Sequence, residues 1–176
     1  ALVDIVRSGK ALYVGISRWP LEATRFGLEY LRKRDVPCLC YQGRINLLDR
    51  APIEEGILDE VCRSGSGFVS FSPLAQGLLA GRYANGIPDD SRMRRAFTLP
   101  EDRLTPDLQR RLSAFAAIAA RRGDTPATLA LRWVLAQEGV TSVIVGASSI
   151  AQLADNLRCT SGTPLTKEEM SELESI

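Results

Sequence analysis

The chemistry open to this 176-residue chain is bounded first by an absence, since the sequence contains no histidine. The commonest general acid and base at neutral pH is therefore missing, and a hydrolytic triad of the usual kind is excluded. The four cysteines, Cys38, Cys40, Cys62 and Cys159, are irregularly spaced. Without histidine they complete no metal-finger pattern, so they read as reduced, mostly structural thiols, and no metal site is expected. What remains is anion and ring recognition. Gly146 permits close backbone approach, and Ser148-Ser149 lead into a helix start whose free N–H groups make a seat for an anion. The same serines also read as plain helix caps. Arg82, Arg92, Arg94 and Arg95 fall in one long loop, where guanidinium groups either close over a diphosphate with paired hydrogen bonds or remain solvated. Phe71 either stacks on a flat ring or belongs to the core, and Trp19 and Trp133 carry the same two readings.

These residues must be held by something, and the hydrophobic pattern supplies alternating strands and helices. Leu2 to Ser8 reads as the end of a helix, broken at Gly9-Lys10 before the apolar run Leu12 to Ile16, predicted as a buried strand. Leu21, Thr24, Leu28 and Leu31 then mark one face of an amphipathic helix. Cys38 to Tyr41 is the second strand, followed by a helix carrying Ile53, Ile57, Leu58 and Val61, with Pro52 in its first turn. Phe68 to Phe71 is the third strand, stopped at Ser72-Pro73 because proline offers no N–H to a central ladder.

From Gly81 to Thr105 no period is sustained, a length that points to a functional or disordered loop. Thr105-Pro106 and Thr125-Pro126 each look like a cap followed by a first-turn proline, opening helices to Gly123 and to about Gln137. Ser142 to Val145 is the fourth strand. Ser149 with Gln152, and Thr166 with Glu169, have the spacing of capping boxes. Strands alternating with helices imply right-handed crossovers and a parallel sheet, a β/α class in which sites lie at the C-terminal ends of strands. Ser17-Arg18, Gln42, Ser72-Pro73-Leu74-Ala75 and Gly146-Ala147-Ser148 follow the four strands in turn and converge on one rim.

Composition narrows the partners. With 22 Lys and Arg against 21 Asp and Glu, the formal charge is +1, so no global basic field attracts nucleic acid or anionic lipid. No apolar run approaches the roughly 20 residues of a membrane span and no signal peptide is legible, so a cytoplasmic protein is expected.

Three stretches, Gly15 to Trp19, Phe71 to Gly77 and Val145 to Ser148, resemble the aldo-keto reductase superfamily. Gly81-Arg82-Tyr83 and Gly86 to Arg92 resemble the branch that holds bacterial glyceraldehyde 3-phosphate reductases and potassium-channel β subunits. The resemblance covers essentially the whole chain. It implies a parallel (β/α)8 TIM-barrel fold of which this chain is the C-terminal half, strands five to eight, forming one incomplete domain over residues 1–176. It also implies an NADPH-dependent reductase of aldehydes or ketones. The family's proton-relay tetrad of aspartate, tyrosine, lysine and histidine belongs to the four absent units, so no catalytic residue is assigned and the chain alone is expected to be inactive.

What carries over is cofactor binding. The resemblance assigns Gln42 to the nicotinamide amide and Phe71 to the stack on its ring, with Ser17 and Arg18 lining the same cleft. Ser72, Pro73, Leu74, Ala75 and Gln76, with Arg82 and Arg92, would hold the diphosphate. Gly146, Ser148, Gln152, Asp155 and Asn156 would surround the adenosine end. Gln152 stands where many members have arginine on the ribose 2′-phosphate; NADP is still implied. Asp155 replaces the commoner glutamate at the adenine contact, and Gly43 and Ile45 replace proline and tyrosine. A second reading is a dinucleotide-binding regulatory module like a channel β subunit. A third is a degenerate fragment with open edges, completed by the missing N-terminal half or by a second copy of itself. The lack of an initiator methionine suggests a fragment.

Overall fold

In the computed structural model, residues 1–83, 86–87, 89, 91–95 and 99–176 are described, without the side chains of Arg92 and Arg95. The chain divides into two compact units.

The first unit comprises Ala1–Ile45, Asp49–Phe71 and Gln137–Ile144. It contains helix α1 (Leu2–Arg7), strand β1 (Val14–Ser17), α2 (Leu21–Arg32), β2 (Cys38–Arg44), α3 (Ala51–Glu54), α4 (Ile57–Arg63), β3 (Gly67–Phe71) and β4 (Val140–Val143). The four strands form one sheet in the order β1-β2-β3-β4, every pair parallel. This is the open β/α half-barrel sheet that the sequence predicts, with β1 and β4 as its edges.

The sheet has two unlike faces. Ile16, Tyr41 and Phe68 sit side by side in register and are all buried, and the Tyr41 and Phe68 rings stack with centroids 5.4 Å apart. Gly43 fits beside them only as glycine, because a Cβ there would lie 2.5 Å from the Phe68 ring. Leu28 and Leu31 of α2 and Leu58 and Val61 of α4 bury the helical side of this core. A buried aliphatic side chain of this kind contributes about 1.5–3 kcal/mol. The neighbouring register row, Ser17, Gln42, Val69 and Ser142, stays half-exposed or exposed.

Several element boundaries differ from the sequence reading. β1 starts at Val14, where its pairing with β2 begins; Leu12 and Tyr13, expected to be buried, precede the strand and are exposed. The helix expected across Ile53 to Val61 is two, since Gly56 sits in the left-handed region at φ 77° and re-aims the chain. β4 runs two residues earlier than expected, opening straight after Gly139 at φ 94°.

The second unit comprises Asn46–Leu48, Ser72–Ala136 and Val145–Ile176. After a 3-10 stretch (Ala75–Ala80) come α5 (Arg92–Arg95), a second 3-10 turn (Glu101–Arg103), α6 (Pro106–Arg122), α7 (Pro126–Leu135), α8 (Ile150–Leu157), a third 3-10 turn (Arg158–Thr160) and α9 (Lys167–Glu174). Short helical pieces thus occupy a segment predicted to lack any period. Thr105 and Thr125 accept from the Leu108 and Thr128 amides as expected of caps, and Gly123 ends α6 at φ 70°. α7 is the core helix, with Leu129, Leu131, Trp133 and Val134 all buried. Among the described residues no helix is long and apolar enough to cross a membrane.

Candidate functional site

In the first unit, the ends of β1 and β2 are tied together at one carbonyl. The Ser17 hydroxyl donates to the Gln42 carbonyl oxygen at 3.1 Å, and the Arg18 amide donates to the same oxygen at 3.2 Å. Ser17 and Gln42 are direct register partners, and Phe71 closes β3 opposite Arg44. Arg18 turns away with φ 59°. Its neighbour Trp19 is anchored through its carbonyl, which accepts from the Tyr41 hydroxyl at 2.8 Å and from Thr24 at 3.2 Å. Burial raises the Tyr41 phenol above its ordinary pKa, so it stays a neutral donor. Gln42 and Phe71 are both half-buried.

In the second unit, the residues after β3 carry a run of unusual backbone: Ser72 at φ 52°, Ala75 at φ 47°, Gln76 at φ 59° and Gly77 at φ 102°. Left-handed conformations cost a non-glycine residue about 1–3 kcal/mol and tend to collect at functional sites. Among the described residues only five non-glycines have positive φ, and four of them, Arg18, Ser72, Ala75 and Gln76, are residues the resemblance assigns to a cofactor. Asp35, in a turn, is the fifth. Asn46 braces this run: its side chain donates to the Ser72 carbonyl at 3.1 Å and accepts from the Leu48 amide at 3.0 Å, and it is 2% exposed. The sequence reading missed Asn46, although a lone amide among Ile45, Leu47 and Leu48 is a signal of a buried polar brace.

Arg82 is exposed on the turn after this stretch. The Arg92 side chain, with Pro88 and Asp90 of its motif, lies outside the described residues. Arg94 is spent on Glu101 in a 2.8 Å ion pair.

Around α8 the expected residues come together, with altered partners. A Cβ on Gly146 would meet nothing within 4 Å, so open space faces that backbone. Ser149 caps α8 by accepting from the Gln152 amide at 3.2 Å. The reciprocal arm of the expected capping box does not form, because Gln152 Oε1 reaches one residue further and accepts from both the amide and the hydroxyl of Ser148 at 2.9 Å. Asp155, assigned to adenine, takes the Thr125 hydroxyl at 2.6 Å on Oδ2. Asn156 is buried. The Thr166–Glu169 box, by contrast, is complete.

Two other features bear on chemistry. A cavity of about 260 Å³ is lined by Ile118, Arg121, Arg122, Thr163 and Glu169, but Arg122 is paired with Asp124 and Glu169 and Arg121 with Glu172. That cavity belongs to the joint between α6 and α9. Among the described residues, no group of three or more histidine, cysteine, aspartate or glutamate side chains is placed to hold a metal ion.

Comparison with known proteins bears on the family and the fold. The aldo/keto reductase family model matches residues 1–176. An L-glyceraldehyde 3-phosphate reductase of Escherichia coli O157:H7 is 42% identical over 99% of this chain, and its counterpart from strain K12 is 40% identical. The chain spans 51% of each, about half the length of these curated relatives. A crystal structure of the thermostable aldo-keto reductase Tm1743 with the inhibitor epalrestat superposes with a TM-score of 0.70, at 26% identity, over 98% of this chain and 51% of that one. The chain belongs to the aldo/keto reductase family.

Proposed function

We propose that this chain is the cofactor-binding part of an NADPH-dependent reductase that converts aldehydes or ketones to alcohols. The observation that carries the reading is the coincidence of backbone strain with the assigned residues: Arg18, Ser72, Ala75 and Gln76 hold left-handed conformations that nothing in their own side chains favours. Such strain persists where a fixed array of backbone groups is needed. When bound, NADPH would supply the hydride. The chain's residues would bind and orient it: Gln42 and Phe71, with Ser17 and Arg18 beside them, at the nicotinamide, and the amides of Ser72 to Gln76 with Arg82 and Arg92 at the diphosphate. Ser148, Gln152, Asn156 and the open backbone at Gly146 would serve the adenosine end.

The residues fit this group unevenly. Two half-exposed polar or aromatic side chains and an open glycine suit a ligand, whereas Ser148 already has both its donors on Gln152. Binding a 2′-phosphate at Ser148 would require Gln152 to turn away and donate through its amide instead. The absence of histidine leaves the chain without the usual proton donor, and we assign no catalytic residue. Reduction would then need further units that supply the proton. The relatives' names point to a small phosphorylated aldehyde as the substrate class, and the open sheet edges would receive either the N-terminal units of a longer chain or a second copy. No nucleic acid or membrane partner is proposed.

The test is turnover by the purified 176-residue chain. Glyceraldehyde and NADPH are expected to give no oxidation of the cofactor above background; a rate near that of the E. coli relatives would overturn the division of labour.

A further inference from the structure

The Asp155 carboxylate is engaged in a way its proposed neighbours are not. Its Oδ2 lies 2.6 Å from the Thr125 hydroxyl, the length of a charge-assisted bond. Its carbonyl oxygen accepts from the Thr128 hydroxyl at 3.0 Å, and Thr128 is fully buried. The Thr125 oxygen also lies 3.0 Å from the Thr128 hydroxyl oxygen. Thr125 has a single hydrogen, and the charged acceptor at 2.6 Å takes it, while Thr128 donates onward to the Asp155 carbonyl. The Thr125 oxygen remains free to accept from the Thr128 amide at 3.1 Å, which caps α7. The first turn of α7 therefore grips α8 at Asp155 through two hydroxyls. The remaining oxygen faces Arg158 at 3.6 Å, a largely exposed pair that contributes little.

We propose that Asp155 is a positioning residue: it fixes α8 against α7 through Thr125, and so sets where Ser148, Gln152 and Asn156 stand, without itself touching the adenosine. The proposal rests on the cofactor reading above. The aspartate's short reach suits this role, since a longer carboxylate would not meet Thr125 at the same distance without displacing a helix.

The test is NADPH affinity of the whole chain, read by fluorescence titration well below the melting temperature, alongside the melting temperature itself. Asp155→Ala and Thr125→Val are expected to weaken binding by a similar factor, on the order of tenfold for one charge-assisted bond. The double variant is expected to be no worse than either. Thr125→Ser keeps the hydroxyl donor and is expected to stay near wild type, and Asp155→Asn, which keeps an acceptor oxygen without the charge, is expected to fall between wild type and Asp155→Ala. A loss confined to Asp155→Ala, with Thr125→Val binding normally, would make Asp155 a direct ligand and overturn the proposal. So would lower melting temperatures with unchanged affinity, which is the mark of a merely structural bond. If the wild-type chain shows no saturable binding, the cofactor reading fails and the lock is judged by amide exchange at Gln152: equal acceleration in the two variants supports it, and unequal acceleration refutes it.

Discussion

Ala75 and Gln76 hold adjacent left-handed conformations, and that strain is a stability cost with a measurable sign. Ala75→Gly is expected to raise stability by up to about 1 kcal/mol, because the left-handed penalty for alanine exceeds the extra chain entropy of glycine; urea unfolding measures it. A second prediction concerns the thiols. Burial pushes the Cys38 thiol above its ordinary pKa, whereas Cys62 is exposed. In native protein at pH 8 a thiol reagent is expected to modify Cys62 promptly and Cys38 only after unfolding, and equal rates would contradict the packing. At this scale the end of β3 was readable, because the proline at Pro73 stops the apolar run. Asn46 and the Thr125–Asp155 bond were not, since both depend on which segments fold against each other.

Helix α9 shows what an element gains from one local device. The Glu169 carboxylate sits below the ordinary range chiefly because the Thr166 backbone N–H donates to it, with Arg122 also lowering it. A lowered folded pKa means its contribution is fully present above the unfolded value and is lost as pH falls through the folded one. Wild type is therefore expected to lose stability in that acid window, and Glu169→Gln, which removes the titrating carboxylate, is expected to lose less of it. Thr166→Ala, by contrast, removes only the hydroxyl arm of the cap, keeps the backbone N–H that lowers Glu169, and costs about 1 kcal/mol with the pH dependence intact. Strand β2 carries a different constraint: Gly43→Ala would push a methyl to 2.5 Å from Phe68 and 2.9 Å from Tyr41, an overpacking of about 1–3 kcal/mol. Calorimetry of these variants checks these values. Caps were legible because Thr105-Pro106, Thr125-Pro126 and Thr166 with Glu169 act within one turn. The edge strands β1 and β4 were misjudged by two residues, since a strand's limits are set by its neighbour's register rather than by its own apolar run.

At the scale of the molecule, β1 and β4 are the edges of the parallel sheet among the described residues, with the exposed side chains of Leu12, Tyr13 and Ile144 beside them. Open edges of this kind are templates for pairing. Sedimentation of the isolated chain is expected to show concentration-dependent association, and a compact monomer at all concentrations would count against a second copy completing the barrel. The fold was legible at this scale because strand-helix alternation and the quoted motifs agree, whereas a resemblance assigns ligand roles without weighing the internal bonds that compete for the same atoms. Gln152 and Asp155 are where that competition is visible. The chain is expected to bind its cofactor without turning it over, and calorimetric titration of NADPH into the 176-residue chain measures this. The expected result is saturable binding near one cofactor per chain, with no oxidation when an aldehyde is added; absence of any saturable heat from a folded chain would contradict it.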